Sequence, residues 1–152
     1  MRKILVTTDL SVESQVAFGK ACELSQALNT SIVLLAVVED LAQLAVVYAL
    51  DFPVIPEPNM QKQLLEKVES ELSALRDKFF AGTNCQIEVV EASGSVHAKI
   101  IETAREHGVE LIVMATHGRT GLKRMLIGSV AERVVREACC PVLTVPQEPS
   151  KS

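Results

Sequence analysis

The chain has no tryptophan, one tyrosine and four phenylalanines, so aromatic residues make up only 3% of it. Its interior must be built from Val, Leu, Ile and Ala, the composition of a parallel sheet sandwiched between helices. No apolar segment approaches the roughly 18–20 continuous residues that a membrane span needs. The most apolar neighbourhood, 41–56, is broken by Gln43, Asp51, Pro53 and Pro56. The N-terminal apolar run stops at Val6, which reads as no secretory signal. A soluble cytoplasmic protein without membrane contact is expected. Basic charge is scarce as well. Fifteen Lys and Arg stand against 19 Asp and Glu, a net charge of -4 with no basic tail or stripe, which argues against nucleic acid as a partner.

Several chemistries leave no trace. The four cysteines (Cys22, Cys85, Cys139, Cys140) show no C-x-x-C spacing, and a vicinal Cys139–Cys140 disulfide would be strained. They read as small hydrophobes, the last two at a helix end. His97, His107 and His117 form no H-E-x-x-H or other close ligand pair, so no dedicated metal site is expected. No carboxylate pair, Ser-His-Asp order or activated cysteine suggests covalent or acid–base catalysis. Two familiar phosphate signatures, G-x-x-x-x-G-K-[ST] and G-x-G-x-x-G, are also missing.

What is present is strict alternation. β-Branched or apolar runs at 3–8, 31–38, 85–92, 109–115 and 141–145 read as five strands. The third alternates with polar residues and belongs nearer a sheet edge. Between them, apolar residues at steps of three and four predict helices over 12–28, 60–80, from about 95 to 107, and from about 129 to 138. Ser11 and Ser95 are the expected N-caps, and Gly108 the stop of the third helix. The chain thus reads as one α/β domain over residues 1–148, with a frayed polar tail at 149–152. Right-handed crossovers cover both faces of a parallel sheet only if the chain reverses once, giving strand order 3-2-1-4-5. Segment 40–58 is long for a connection; core cover is the favoured reading over a ligand-sensing lid.

In such sheets, ligands bind outside the carboxyl ends of the strands at the switch between strands one and four. There the chain places TTDLS (7–11) and ATHGRTG (115–121). Gly118, Gly121 and Gly128 lead to Ser129 at the start of the last helix. Glycines let backbone N–H groups approach an anion, and a helix N-terminus adds its dipole. A flexible surface loop capped by Ser129 is the plain alternative. Arg119, Lys123 and Arg124 lie inside the loop, facing either phosphate or solvent.

VTTDLS, GSVHAKII, LIVMATHGRTGLKRMLIGSVAERVV and CCPVLTVP, in this order, resemble the universal stress protein family over essentially the whole chain. The resemblance implies the 3-2-1-4-5 architecture, a homodimer joined through the last strand, and an ATP site marked G-x2-G-x9-G-[ST]. That pattern falls on Ala115, Gly118, Gly128 and Ser129. Ala115 departs from it, standing where a glycine is usual, and Ala131 stands where a hydroxyl residue often assists the phosphates. By the same resemblance, Thr7, Thr8 and Asp9 contact adenine and ribose, and Val37 and Met114 line the base pocket. Gly118, Arg119, Gly128, Ser129 and Val130 surround the phosphates. Asp9 as the start of an Asx turn and Val37 as ordinary core are the plain alternatives. His117 bonds a phosphate or holds the loop, the second being favoured. The ligand implied is ATP, or AMP or ADP, with Mg2+ or Mn2+. The implied function is regulatory stress response toward a client of unknown identity, with at most slow hydrolysis. The rivals are a nucleotide-free dimeric interaction module of the same fold and a nucleotidyl-transferring enzyme.

Overall fold

A computed structural model of the chain describes residues 1–40, 58–118 and 127–148. The run KILVTT forms β1 (Lys3–Thr8), and SIVLLAVVE forms β2 (Ser31–Glu39), one residue longer than its apolar run. The other strands are β3 (Cys85–Ala92), β4 (Leu111–Ala115) and β5 (Val142–Val145). All pair in parallel in the order β3-β2-β1-β4-β5, with β1 between Ile32 and Leu111 at the level of Ile4. The alternating β3 is an edge strand, as its pattern requires, and the short β5 is the other edge.

Because side chains alternate across a strand, each central strand feeds two cores. Ile4 and Val6 of β1 meet Ile32 and Leu34 of β2 on one face. There α1 (Val16–Leu28) contributes Ala17, Phe18 and Ala21, and α2 (Met60–Phe79) contributes Val68 and Leu72. Phe18 sits between Phe79 and Phe80, with ring centroids 5.3 and 5.1 Å away. Leu5, Val33, Leu35 and Ile112 point to the opposite face. They meet Ile100 and Ala104 of α3 (Val96–Glu106) and Ala131 and Val134 of α4 (Ser129–Glu137). Burying each large aliphatic side chain in these layers stabilises the fold by about 1.5–3 kcal/mol.

Two helices end where the sequence offers a residue that tolerates positive φ. Asn29 (φ 52°) follows α1, and the Thr30 N–H reaches back to the Ser25 carbonyl at 3.0 Å. Gly108 (φ 59°) stops α3 as expected, with the Val109 N–H on the Ala104 carbonyl at 3.0 Å. Both are Schellman closures. That exit uses Val109, so β4 begins at Leu111 rather than at 109. Pro141, which has no N–H to give, likewise precedes β5.

Two starts differ from expectation. Residues 13–15 form a 3-10 turn before α1, because Ser11 Oγ accepts the Ser14 N–H at 3.2 Å and tightens the entry. Ser95 precedes α3 in extended conformation, but its side chain makes no capping hydrogen bond. The cysteines also divide. All four are free, and burial pushes the Cys85 thiol up to about 11, which keeps it protonated at neutral pH. Cys140 packs against the second core as a small hydrophobe, whereas Cys139 is exposed and receives an N–H of Arg105 at 3.3 Å. The segment expected to be core cover, 40–58, lies outside the described residues except at its two ends, as does the tail at 149–152.

Candidate functional site

The crevice lies where the order reverses, between the carboxyl ends of β1 and β4. It is a cavity of about 220 Å³. Its polar side begins with the turn after β1. The Asp9 carboxylate accepts the Ser11 N–H at 3.0 Å and also the Ser11 hydroxyl, both on Oδ1, so Asp9 does begin an Asx turn. Leu10 follows at φ 68°, a left-handed conformation uncommon for a branched side chain. Its N–H is held by Thr8 Oγ1 at 3.0 Å.

The second side is the exit of β4. Thr116 continues the sheet by donating its N–H to the Val145 carbonyl at 3.0 Å, and its hydroxyl lies 2.9 Å from His117 Nδ1. That contact joins two neighbouring side chains at the exit of β4. Gly128 then returns the chain to the same place, donating its N–H to the Thr116 carbonyl at 2.6 Å. A side chain at 128 would stand 2.9 Å from that carbonyl oxygen, and one at 118 would stand 2.3 Å from Asp9 Oδ2. Neither glycine has a left-handed φ, so both are there for close approach.

Gly128 is also the N-cap of α4. A glycine cap has no side-chain oxygen, so the first-turn amides of Ser129, Val130 and Ala131 get no bond from the cap side chain. The first intrahelical bond is that of Glu132 to Gly128, at 2.9 Å. These amides and the helix dipole face a cavity whose described lining holds no lysine or arginine. Among the described lining residues, an anion at this helix end would meet these amides and the Ser129 hydroxyl.

Of the residues expected at the site, Thr7, Thr8 and Asp9 line the cavity from β1, and Val37 and Met114 form part of its apolar wall. Ala115, His117 and Gly118 enter from β4, and Gly128, Ser129 and Val130 from α4. Arg119 lies outside the described residues, as does Gly121. The cavity also takes in Ser14, Leu35, Val96, Ile100, Thr116 and Ala131. Leu35 was legible as the residue two before Val37, on the same face of β2. Val96 and Ile100 are one helical turn apart, but only the docking of α3 decides which of its faces meets the crevice.

Ala115, 8% exposed, ends β4 opposite Val145 and lines the cavity. If the crevice takes ATP, as the sequence resemblance implies, Ala115→Gly should leave that affinity unchanged or raise it by up to about fivefold, roughly 1 kcal/mol. Stability should fall by about 0.5–1 kcal/mol, the usual cost of a strand glycine. Calorimetric titration with ATP and magnesium checks both limits, alongside thermal unfolding. A clear drop in affinity would mean that the methyl group is itself a contact.

The comparisons with known proteins converge on one family. The model described as "Universal stress protein family" matches residues 1–146. A universal stress protein of Methanocaldococcus jannaschii is 27% identical over 158 residues, 98% of this chain and 97% of its own. The solved structure of that archaeal protein superimposes with a TM-score of 0.80, covering 98% of both chains. A universal stress protein A homologue of Coxiella burnetii is 30% identical over 145 residues, 95% of this chain and 94% of its own. Two more distant structures share the fold. One, from Archaeoglobus fulgidus in complex with dAMP, is 15% identical with a TM-score of 0.64, covering 95% of this chain and 97% of that one. The other, from Arabidopsis thaliana with AMP bound, is 18% identical with a TM-score of 0.61, covering 99% and 97%. The chain belongs to the universal stress protein family.

Proposed function

We propose that the protein is an adenine-nucleotide-binding regulatory protein, that ATP is its preferred ligand, and that any hydrolysis is slow. One observation carries the reading: the Asp9 turn and the glycine-flanked N-terminus of α4 converge on one cavity with an apolar wall. On this reading Asp9 accepts from ribose hydroxyls, Val37 and Met114 flank the base, and the amides of Ser129 and Val130 take phosphate oxygens. Distant fold neighbours were solved with dAMP and with AMP, which supports an adenine nucleotide as the class of ligand. Slow turnover follows from a described lining that offers no carboxylate base besides Asp9 and no arginine. A magnesium or manganese ion would arrive with the phosphates, since among the described residues no three His, Cys, Asp or Glu are grouped to hold one. Titration of the purified protein with ATP, ADP, AMP and cAMP, with mass spectrometry of any nucleotide carried through purification, tests the reading. Absence of all four in both measurements would leave a nucleotide-free interaction module, the reading that Ala115 and Ala131 favour.

We read residues 1–148 as one domain that works in the cytoplasm as a homodimer. No helix among the described residues is long and apolar enough to cross a membrane. β5 is an edge strand whose four residues are all half-buried, and such an edge is a template for a second copy. Twin strands would pair about a two-fold axis between Pro141 and Pro146. Val142→Asp with Thr144→Asp should therefore turn a dimer into a monomer at micromolar concentration, as read by sedimentation. A wild-type monomer, or a dimer that survives both charges, would remove the assignment.

A further inference from the structure

Ser14 has no part in the glycine pattern, yet it is 4% exposed and stands in the cavity wall. Its hydroxyl donates to the Ser11 carbonyl at 2.8 Å. It therefore accepts at its other contact, 2.7 Å away, and the Thr8 hydroxyl is the donor there. The Thr8 oxygen in turn receives the Leu10 N–H. On its backbone side, Ser14 gives its N–H to Ser11 Oγ, and the Ser11 hydroxyl and N–H both go to Asp9 Oδ1. One bonded chain thus runs from a buried serine to a carboxylate at the mouth of the crevice. It also holds Leu10 in the left-handed region that the turn needs. Two consequences follow. The Thr8 proton is committed inside the protein, so Thr8 can offer a ligand only an acceptor. Asp9 is fixed through Oδ1, while Oδ2 lies over the Gly118 backbone, where a side chain would otherwise stand.

We infer that Ser14 is a positioning residue that orients Asp9 for the nucleotide ribose, acting through Ser11 and Thr8. This rests on the function proposed above, and its test separates the two. In ligand-free Ser14→Ala, amide hydrogen exchange at Leu10 and Ser11 should accelerate at least tenfold, while β1 and β2 amides keep their protection. The same substitution should weaken ATP binding by about tenfold, the order expected for one lost hydrogen bond to a charged group's support. In an Asp9→Ala background it should weaken binding no further, because residues acting through one another are not additive. A purely structural serine would cost the same in both backgrounds, and that result overturns the inference. So does unchanged exchange at Leu10 and Ser11, or faster exchange with unchanged ATP affinity. If the wild type binds no adenine nucleotide, then the nucleotide reading fails along with Ser14's part in it, while the exchange data still decide whether Ser14 holds the Asp9 turn.

Discussion

Gly118→Val is expected to weaken ATP binding by about a hundredfold or more, near 3 kcal/mol, while leaving the fold intact. The reason is the 2.3 Å between the position of a Cβ at 118 and Asp9 Oδ2. No side chain fits there unless the carboxylate swings away, and swinging away breaks its two bonds from Ser11. The valine branches would add bulk between the β4 exit and any ligand in the crevice. What must move is the end of an exposed side chain, so the core layers are untouched and the shift in unfolding temperature should stay within a few degrees. Strain at φ is not the cause, since Gly118 is outside the left-handed region. Calorimetry with ATP and thermal unfolding decide the matter together. Gly82→Ala, where a Cβ meets nothing within 4 Å, is the control and should behave like wild type. A Gly118→Val protein that binds normally, or one that has lost affinity only by unfolding, refutes the account.

How much of this was legible beforehand depends on which residues carry it. Strands are visible in sequence because KILVTT and SIVLLAVV are unbroken apolar or β-branched runs, and buried parallel strands need nothing else. The order of the sheet follows from alternation and crossover handedness, and the edge position of β3 from the polar residues Gln86, Glu88 and Glu91 that interrupt its apolar run, of which Gln86 and Glu91 are exposed. The glycines of the crevice announced themselves by spacing. Their use did not: Gly118 makes room for Asp9, a residue more than a hundred positions away, and only the assembled sheet brings the two together. The same holds for Ser14. Nothing in TTDLSVES requires Leu10 to turn left-handed, and without that turn Ser14 would read as one more residue of an N-terminal helical face. Sequence pattern reports periodic burial well. It is silent on polar networks whose partners are fixed by a single irregular dihedral.

Gly128→Val should lose ATP affinity at least as completely as Gly118→Val, but here stability should fall with it. A Cβ at 128 would stand 2.9 Å from the Thr116 carbonyl oxygen and 3.7 Å from His117 Cα. Both neighbours are backbone, and neither can rotate away. The Gly128 N–H already holds that carbonyl at 2.6 Å, so the start of α4 is fastened to the exit of β4 at this point. Forcing them apart costs about 1–3 kcal/mol for overpacking and about 1 kcal/mol for the hydrogen bond. For a chain of this size each kcal/mol lowers the unfolding temperature by about 2–4 °C, so a drop of several degrees is expected. Affinity falls for a separate reason: the amides of Ser129 and Val130 travel with the displaced helix end, and an anion loses its backbone donors. Gly128→Ala carries the same Cβ and should reproduce most of both losses, which separates contact at the backbone from the bulk of valine. Thermal unfolding and ATP titration of Gly118→Val, Gly128→Ala and Gly128→Val, measured side by side, give the comparison. If the two variants at 128 unfold at the wild-type temperature, the junction between Thr116 and Gly128 is not rigid. The crevice would then be shaped by something other than these two close approaches.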